Sequence, residues 1–261
     1  MRNILAIVER ELRAYFSSPI AYVVLTIFVF LSGLFFRSIL AQVLQMGLMS
    51  QIQAQQLGPR AMDMPGMITR GFLSTMSVIL LFVMPMLTMG LFSEEKKRGT
   101  IELLLTAPLT DAQVVLGKFF SAFAFFVILL LSMWIPTGIL YMYSSPGPAS
   151  GPILTAYLGL LLYGLALMGI GLFISTLTEN QIIASVVSFG VAMALWLVDV
   201  FANNVDSANA KAVLSYLSVL GHLDDFMKGV LATSHIIFYL SLMLVALFLT
   251  YRSIDSLRWR G

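Results

Sequence analysis

The most regular feature of the sequence is a series of long apolar runs separated by short polar segments. A helix needs about 20 mostly apolar residues to cross the hydrocarbon core of a bilayer. Six runs come near that length, and the pattern therefore predicts an all-α membrane protein whose residues 1–261 form one transmembrane domain. The six predicted helices, here called spans one to six, are Ile20–Phe36, Gly71–Phe92, Phe119–Tyr141, Ile153–Ile174, Ile182–Phe201 and Ser234–Tyr251.

The segment ahead of span one has a different periodicity, with one apolar stripe at helical spacing. The break "SSP" at residues 17–19 ends this segment just before span one. Such a pattern predicts an amphipathic helix that lies along the membrane surface. The residues of the stripe are Ile4, Ile7, Val8, Glu11, Leu12 and Tyr15.

Between spans two and three, the stretch "LFSEEKKRGTIELLLTAPLTDAQVVLGKFF" at residues 91–120 carries much of the charge of the chain. Its acids precede its bases, which is the order that a helix dipole favours. The apolar residues Ile101, Leu104 and Leu105 then fall on one face, which predicts a short amphipathic helix over residues 94–105. After Pro108, Thr110 and Gln113 have the spacing of a capping box that opens span three.

Two further segments are predicted to lie outside the spans. The sequence "QVLQMGLMSQIQAQQLGPR", residues 42–60, predicts a helical extension of span one beyond the membrane, ending at Gly58-Pro59. The run "AVLSYLSVL", residues 212–220, is apolar but too short to cross a bilayer. We interpret it as a short re-entrant or interfacial segment before span six, with a lipid-facing surface helix as the alternative.

Composition and charge agree with a membrane protein and suggest its orientation. Hydrophobic residues make up 59% of the chain and charged residues only 11%, against roughly 25% charged in soluble domains. With six spans, ten Lys and Arg residues fall on the side of both termini and five on the other. The positive-inside rule then predicts that both termini and the charged segment are cytoplasmic, in the inner (plasma) membrane. The net charge of +2 gives no reason to expect a nucleic acid partner.

Few residues suggest chemistry of their own, so an enzyme is disfavoured. The phosphate-binding pattern G-x-x-x-x-G-K-[ST] is absent, since Phe119 follows Gly117-Lys118. Asp199 is the one acid within a span and lies near its end, which favours a structural role. Neither His222 nor His235 has a partner histidine at ligand spacing, and only the acid pair Asp224-Asp225 lies near them in the sequence, so we expect no metal site and no cofactor. The 16 methionines could bind Cu(I), but gap filling in apolar packing is the simpler interpretation.

Several segments resemble the ABC type 2 permeases, the membrane subunits of ABC exporters. The strongest match is "SEEKKRGTIELLLTAPLTDAQVVLGK", which resembles the coupling helix of that family. "VERELRAYFSSP" resembles its connecting helix, "GLFISTLTENQIIASVVSF" the turn between spans four and five, and "YLSVLGHLDDFMKGVL" the outer segment before the last span. Within the family, permeases linked to gliding motility and to copper-enzyme maturation are the most similar.

The resemblance implies a function as well as a fold. It implies a permease subunit that forms an export pathway with a second permease copy and is driven by a separate cytoplasmic ATPase, which binds the ATP. A membrane anchor for an ATPase that transports nothing remains the alternative. The residues that the resemblance places against the ATPase subunit are Glu94, Glu95, Arg98, Gly99, Thr100 and Glu102.

Overall fold

The computed structural model of the chain describes residues 2–57, 63–101, 109–203 and 207–258. At residues 2, 50–57, 199–200, 202–203, 208–210, 212 and 257–258 it describes the backbone alone. The described ranges are almost entirely helical and contain no strand. Their helices are α1 (Arg2–Ser17), α2 (Pro19–Leu57), α3 (Met64–Thr88), α4 (Gly90–Lys97), α5 (Asp111–Ser132), α6 (Trp134–Tyr143), α7 (Ser150–Ser175), α8 (Gln181–Asn203), α9 (Ala208–Leu217), α10 (Val219–Met227) and α11 (Thr233–Arg258).

Six helical regions of the described chain are long and apolar enough to cross a membrane, which confirms the predicted all-α membrane architecture. Five of the predicted spans lie within these regions, and span five, predicted to end at Phe201, runs past its region, which ends at Val198, but stays within α8. Helices α3 and α4 together form span two, and α5 and α6 together form span three. The regions are Pro19–Met49, Met64–Lys97, Asp111–Tyr143, Ser150–Ser175, Gln181–Val198 and Thr233–Ser256.

Span one continues well past the predicted apolar run. Helix α2 has 39 residues without a break, so it is about 58 Å long at 1.5 Å per residue. That length is roughly twice the hydrocarbon thickness of a bilayer. The predicted helical extension is confirmed up to Leu57, and its predicted end at Gly58-Pro59 lies outside the described residues.

Span four (α7) is the central helix of the bundle, because it is the most buried of the six membrane-spanning regions of the described chain. Four of its glycines make this packing possible, since a Cβ at any of them would lie within 3.3 Å of a side chain on another helix. At Gly159, for example, the added atom would lie 2.6 Å from Cβ of Phe226 in α10. Small residues allow helix backbones to approach closely in membranes. The glycines of this face, Gly159, Gly164, Gly169 and Gly171, therefore serve packing within the chain.

Spans two and three each contain a proline within four residues of a break between two helices. Met89 separates α3 from α4, four residues after Pro85, and Met133 separates α5 from α6, three residues before Pro136. A proline lacks the N–H that would bond to the preceding turn, which weakens the helix at that point. At Met89 the backbone nevertheless stays helical and its N–H bonds to the carbonyl of Pro85 at 2.9 Å, so the helical path of span two continues into its charged end.

The segment before span six forms two helices instead of one. Ser218 divides the predicted apolar run, and its hydroxyl accepts a hydrogen bond from the N–H of Gly221 at 2.9 Å, which caps α10. Helix α9 exposes apolar side chains such as Tyr216. Helix α10 instead buries Leu223 and Phe226 against the bundle. The predicted interfacial segment is therefore an exposed helix followed by a packed one.

The expectation that neither histidine has a partner is wrong. Nδ1 of His222 in α10 lies 2.5 Å from Nδ1 of His235 in α11. Nε2 of His235 lies 3.0 Å from a carboxylate oxygen of Asp225. The two histidines are 13 residues apart in sequence, and the turn between α10 and α11 brings them together, which no local spacing could indicate.

Candidate functional site

The charged segment begins as a continuation of the span two helix. Helix α4 ends at Lys97, and Gly99 then adopts a φ of 68°. The N–H of Gly99 bonds to the carbonyl of Lys96 at 3.1 Å, and the N–H of Thr100 bonds to that of Glu95 at 3.0 Å. This pair of bonds is the Schellman motif, in which a left-handed glycine ends a helix. The left-handed backbone at this position therefore explains the glycine, independently of any contact that Gly99 makes with a partner.

This turn corrects the predicted helix over residues 94–105. Glu94 and Glu95 lie in the last two turns of a helix that starts at Gly90, so they do not face the positive end of a new helix. Only the bases Lys96 and Lys97 occupy a position that the helix dipole favours. Helical structure resumes at Ile101, and residues 102–108, which include Glu102, Leu104 and Leu105, lie outside the described residues.

The predicted contact residues divide into two groups. Arg98, Gly99 and Thr100 are exposed, as is Lys97. The guanidinium of Arg98 pairs with the carboxylate of Glu94 one turn earlier, and both side chains remain largely in solvent. The exposed turn is thus available to a partner, with Glu94 at its edge.

Glu95 instead points into the protein. One of its carboxylate oxygens lies 2.9 Å from Nζ of Lys118 in span three and 3.2 Å from the guanidinium of Arg10 in α1. Its second carboxylate oxygen is buried and has no hydrogen-bond partner among the described residues. The prediction that Glu95 contacts an ATPase is untested, but its side chain already has partners within the chain.

Lys118 is the centre of this cluster, with only 1% of its side chain exposed. Its ammonium also lies 3.1 Å from Glu11 of α1 and 5.2 Å from the ring centroid of Phe92. Two carboxylates and two cations thus neutralise one another where α1, α4 and α5 meet. Burial alone would raise the pKa of Glu11, but the charges and hydrogen bonds of Lys118 and Arg10 lower it below 4.5. The guanidinium of Arg10 has a raised pKa, mainly because it donates a hydrogen bond to Glu11.

Helix α1 packs across the start of span three, and its predicted stripe forms the covered face. All six stripe residues are buried or half-buried, whereas the other described side chains of α1 are exposed. Ile7 lies against Gly117, where an added Cβ would be 2.7 Å from its side chain. The hydroxyl of Tyr15 donates to the carbonyl of Leu87 at 3.1 Å.

The predicted capping box of span three is also present, with both Thr110–Gln113 hydrogen bonds at 3.3 Å.

A second link joins the charged segment to spans four and six. The ammonium of Lys96 donates to the carbonyl of Thr176, which ends span four. The hydroxyl of Thr176 in turn donates to Ser253 in α11 at 2.8 Å. Residues 95 and 96 therefore tie the end of span two to four other helices. We call this end of the bundle, which holds α1, α4, Thr176 and Ser253, the basic end.

Comparison with known proteins gives the family. Residues 5–253 match the sequence model of the family described as "ABC-2 family transporter protein". This chain belongs to the ABC-2 family of transporters. The family match and the six membrane-spanning helices together make it a multi-pass membrane protein and a permease of this family, as the sequence resemblance predicted.

Curated relatives support the same assignment over part of the chain. Over 144 residues the ABC-2 family chain is 26% identical to the "Probable multidrug ABC transporter permease YbhR" of Escherichia coli strain K12. The same identity holds for the protein of that name from Escherichia coli O157:H7. The alignment covers 53% of this chain and 37% of each relative. The match therefore spans little more than a third of the relatives' length.

Proposed function

We propose that this chain is the membrane subunit of an ABC exporter, in which a separate cytoplasmic ATPase subunit binds and hydrolyses ATP. The observation that carries the proposal is the exposed turn at residues 97–100. The residues just before this turn, Glu95 and Lys96, hold it to the bundle through two sets of polar contacts. Motion of a partner at this turn would reach span three and α1 through Glu95, and spans four and six through Lys96. The basic end would then be the cytoplasmic end, in agreement with the positive-inside rule.

A second permease copy completes the proposed pathway. Spans one, five and six each bury less than a third of their residues within the chain, and exposed apolar side chains occur on all three. Such faces meet either lipid or another protein in a membrane. A pathway between two copies also suits a bundle whose central helix is already largely covered by its neighbours. The aligned relative is named a probable multidrug permease, so drugs are the first class of cargo to test.

The partner contact can be tested by charge reversal at the turn. Arg98→Glu should lower the recovery of an ATP-binding subunit with the tagged chain by about fivefold, which corresponds to roughly 1 kcal/mol. The recovered protein is identified by mass spectrometry and assayed for ATP hydrolysis. Arg252→Glu is the matched control, because Arg252 is exposed, lies at the basic end and also pairs with a nearby acid, Asp255. Equal recovery of the ATP-binding subunit with both variants would show that the turn is not part of the interface with that subunit.

The alternative, a membrane anchor that transports nothing, makes a different prediction for the purified complex. In an exporter, a drug that is cargo changes the ATPase rate of the reconstituted complex and moves across the vesicle membrane when ATP is added. An anchor would bind the ATPase subunit through the same turn but show neither effect. The contact experiment and the transport experiment therefore test separate parts of the proposal.

A further inference from the structure

The two histidines of the chain form the most unusual polar contact at the end of the bundle opposite the basic end. His222 is 7% exposed and lies in α10, stacked on Phe238 with ring centroids 4.1 Å apart. His235 lies in the first turn of α11, with 14% of its side chain exposed. The Nδ1 atoms of the two rings face each other at 2.5 Å.

The partners of the other two ring nitrogens determine where the protons are. Nε2 of His222 lies 2.9 Å from the carbonyl oxygen of Tyr216, which can only accept a hydrogen bond. Nε2 of His235 faces the carboxylate of Asp225, which also accepts when ionised. Both Nε2 atoms must therefore carry a hydrogen. Each neutral ring then has its lone pair on Nδ1, and the two lone pairs point at each other.

Two facing lone pairs need a cation between them, and the distance favours a proton over a metal. Two nitrogens bound to a tetrahedral zinc ion at about 2.0–2.1 Å would be roughly 3.4 Å apart, well beyond the observed 2.5 Å. No group of three metal-binding side chains occurs among the described residues. One shared proton, by contrast, completes an unbroken chain of hydrogen bonds from Asp225 through His235 and His222 to Tyr216.

We propose that His222 and His235 form a proton-binding site that latches α10 onto span six. With one shared proton, every nitrogen of the pair has a partner. Without it, one Nε2–H must move to Nδ1 to relieve the facing lone pairs, and a hydrogen bond to Tyr216 or Asp225 is lost. With two protons, two N–H groups and two positive charges face each other across 2.5 Å.

The surroundings make the pair the main titrating feature of this region. Asp225 faces His235, and its other carboxylate oxygen lies 3.6 Å from Nζ of Lys228, which also pairs with the neighbouring acid Asp224. The phenol rings of Tyr216 and Tyr239 lie 5.7 Å and 6.3 Å from the His222 ring.

The other helices that pack on α10 add little charge near the pair. Arg70 of α3 donates to the carbonyl of Met227 at 3.3 Å. Span four carries no charged residue, and the one charged residue of span five, Asp199, has no described side chain.

The direction of the pH dependence follows from counting protons. Burial and the nearby His235 lower the pKa of His222 below 6.5, although its hydrogen bond to Tyr216 acts in the opposite sense. In acid the unfolded chain protonates both imidazoles near pH 6.5, whereas the folded pair holds one proton. Stability and latching should therefore decrease as the pH falls below about 6. Stability and latching should also decrease as the pH rises until the shared proton is lost. The folded pair binds this proton more tightly than the unfolded chain does, because the proton completes the hydrogen bonds of the pair.

Because the chain contains only two histidines, ¹⁵N-histidine NMR can observe the pair directly. The full chain would be purified in nanodiscs with a histidine-free tag and a metal chelator. We expect two protonation steps of the pair, at least one pH unit apart, with both Nε2 atoms protonated between them. In His235→Gln, His222 should titrate in a single step. Asp225→Asn, which keeps both rings, should shift the upper step to lower pH.

Hydrogen exchange of residues 219–227, corrected for its intrinsic pH dependence, tests the latch itself. Exchange should rise as the pH falls from about 6 through the lower protonation step in the wild-type chain, and no such rise should occur in His235→Gln. If both rings titrate independently in the wild-type chain, the shared proton is excluded. If the ring signals shift only on addition of Zn²⁺, the pair is a metal site and the proposal is overturned. If titration is coupled but exchange does not change, the pair does not latch α10.

Discussion

At the scale of single residues, the structure separates the charges that face a partner from those that hold the protein together. The pair Glu94–Arg98 follows from its spacing of four residues on a helix surface, and it lies in solvent. The contacts of Lys118 with Glu11 and Glu95 join residues that are far apart in sequence. These contacts depend on how three helices pack, so the sequence predicted the charged segment but assigned Glu95 only to the partner.

Replacing Lys118 should show how much this buried cluster stabilises the fold. Among the described residues, Lys118→Met leaves Glu11 and Glu95 facing each other with Arg10 as their remaining cation. Removing one partner of a buried ion pair typically costs about 3–5 kcal/mol. We expect a loss of at least about 2 kcal/mol in the free energy of unfolding, measured by denaturant titration in mixed micelles, because Glu11 and Glu95 retain some contact with solvent.

The matched control for this loss is the exposed pair of the same segment. Arg98→Met removes a cation whose side chain is 69% exposed, and exposed pairs contribute less than about 1 kcal/mol. Losses of the same small size for Lys118→Met and Arg98→Met would mean that Lys118 is not an electrostatic centre of the fold.

At the scale of helices, local pattern predicted most of the structure. Apolar run length predicted the six spans, the stripe on α1 predicted which of its side chains are covered, and Thr110 with Gln113 predicted the start of α5. The helix end at Lys97 was missed because the strong helix formers around Gly99 outweighed the glycine in the pattern. A glycine after three consecutive bases is itself a signal for a helix C-terminus, and the Schellman motif agrees with it.

The docking of α1 on span three gives a prediction at this scale. Gly117→Leu should push α1 away, since even a Cβ at this position would lie 2.7 Å from Ile7, while leaving insertion of the spans unaffected. Because the chain has no cysteine, a single Leu12→Cys substitution on the half-buried face of α1 reports the displacement. Labelling of this thiol in detergent should become several times faster in Gly117→Leu.

The same chain offers a control within the same span. Gly138 has no atom within 4 Å of an added Cβ, so Gly138→Leu makes the same change in composition without meeting α1. Labelling at position 12 should then match that of the unsubstituted protein. Equal labelling rates in all three proteins would show that Gly117 does not set the position of α1.

At the scale of the whole molecule, the two ends of the bundle differ in charge and in construction. The basic end connects its helices through ion pairs and hydrogen bonds around residues 95 and 96. The opposite end connects α10 to span six through the histidine pair and through the Tyr239 hydroxyl, which donates to the carbonyl of Val219 at 2.7 Å. Sequence counts could predict the difference in charge, but not the histidine contact, which depends on the turn between two helices.

The orientation of the bundle in the membrane is the last prediction, and it follows from the excess of Lys and Arg at the basic end. Lys97 and Lys228 are exposed at opposite ends, so Lys97→Cys and Lys228→Cys give matched single-thiol proteins. In intact cells a membrane-impermeant maleimide should label the Lys228→Cys protein, and it should label the Lys97→Cys protein only after permeabilisation. The reverse result would place the turn at residues 97–100 outside the cell, where a cytoplasmic ATPase could not reach it. The proposed contact with the ATPase therefore requires this orientation, because the turn proposed to bind the ATPase lies at the basic end.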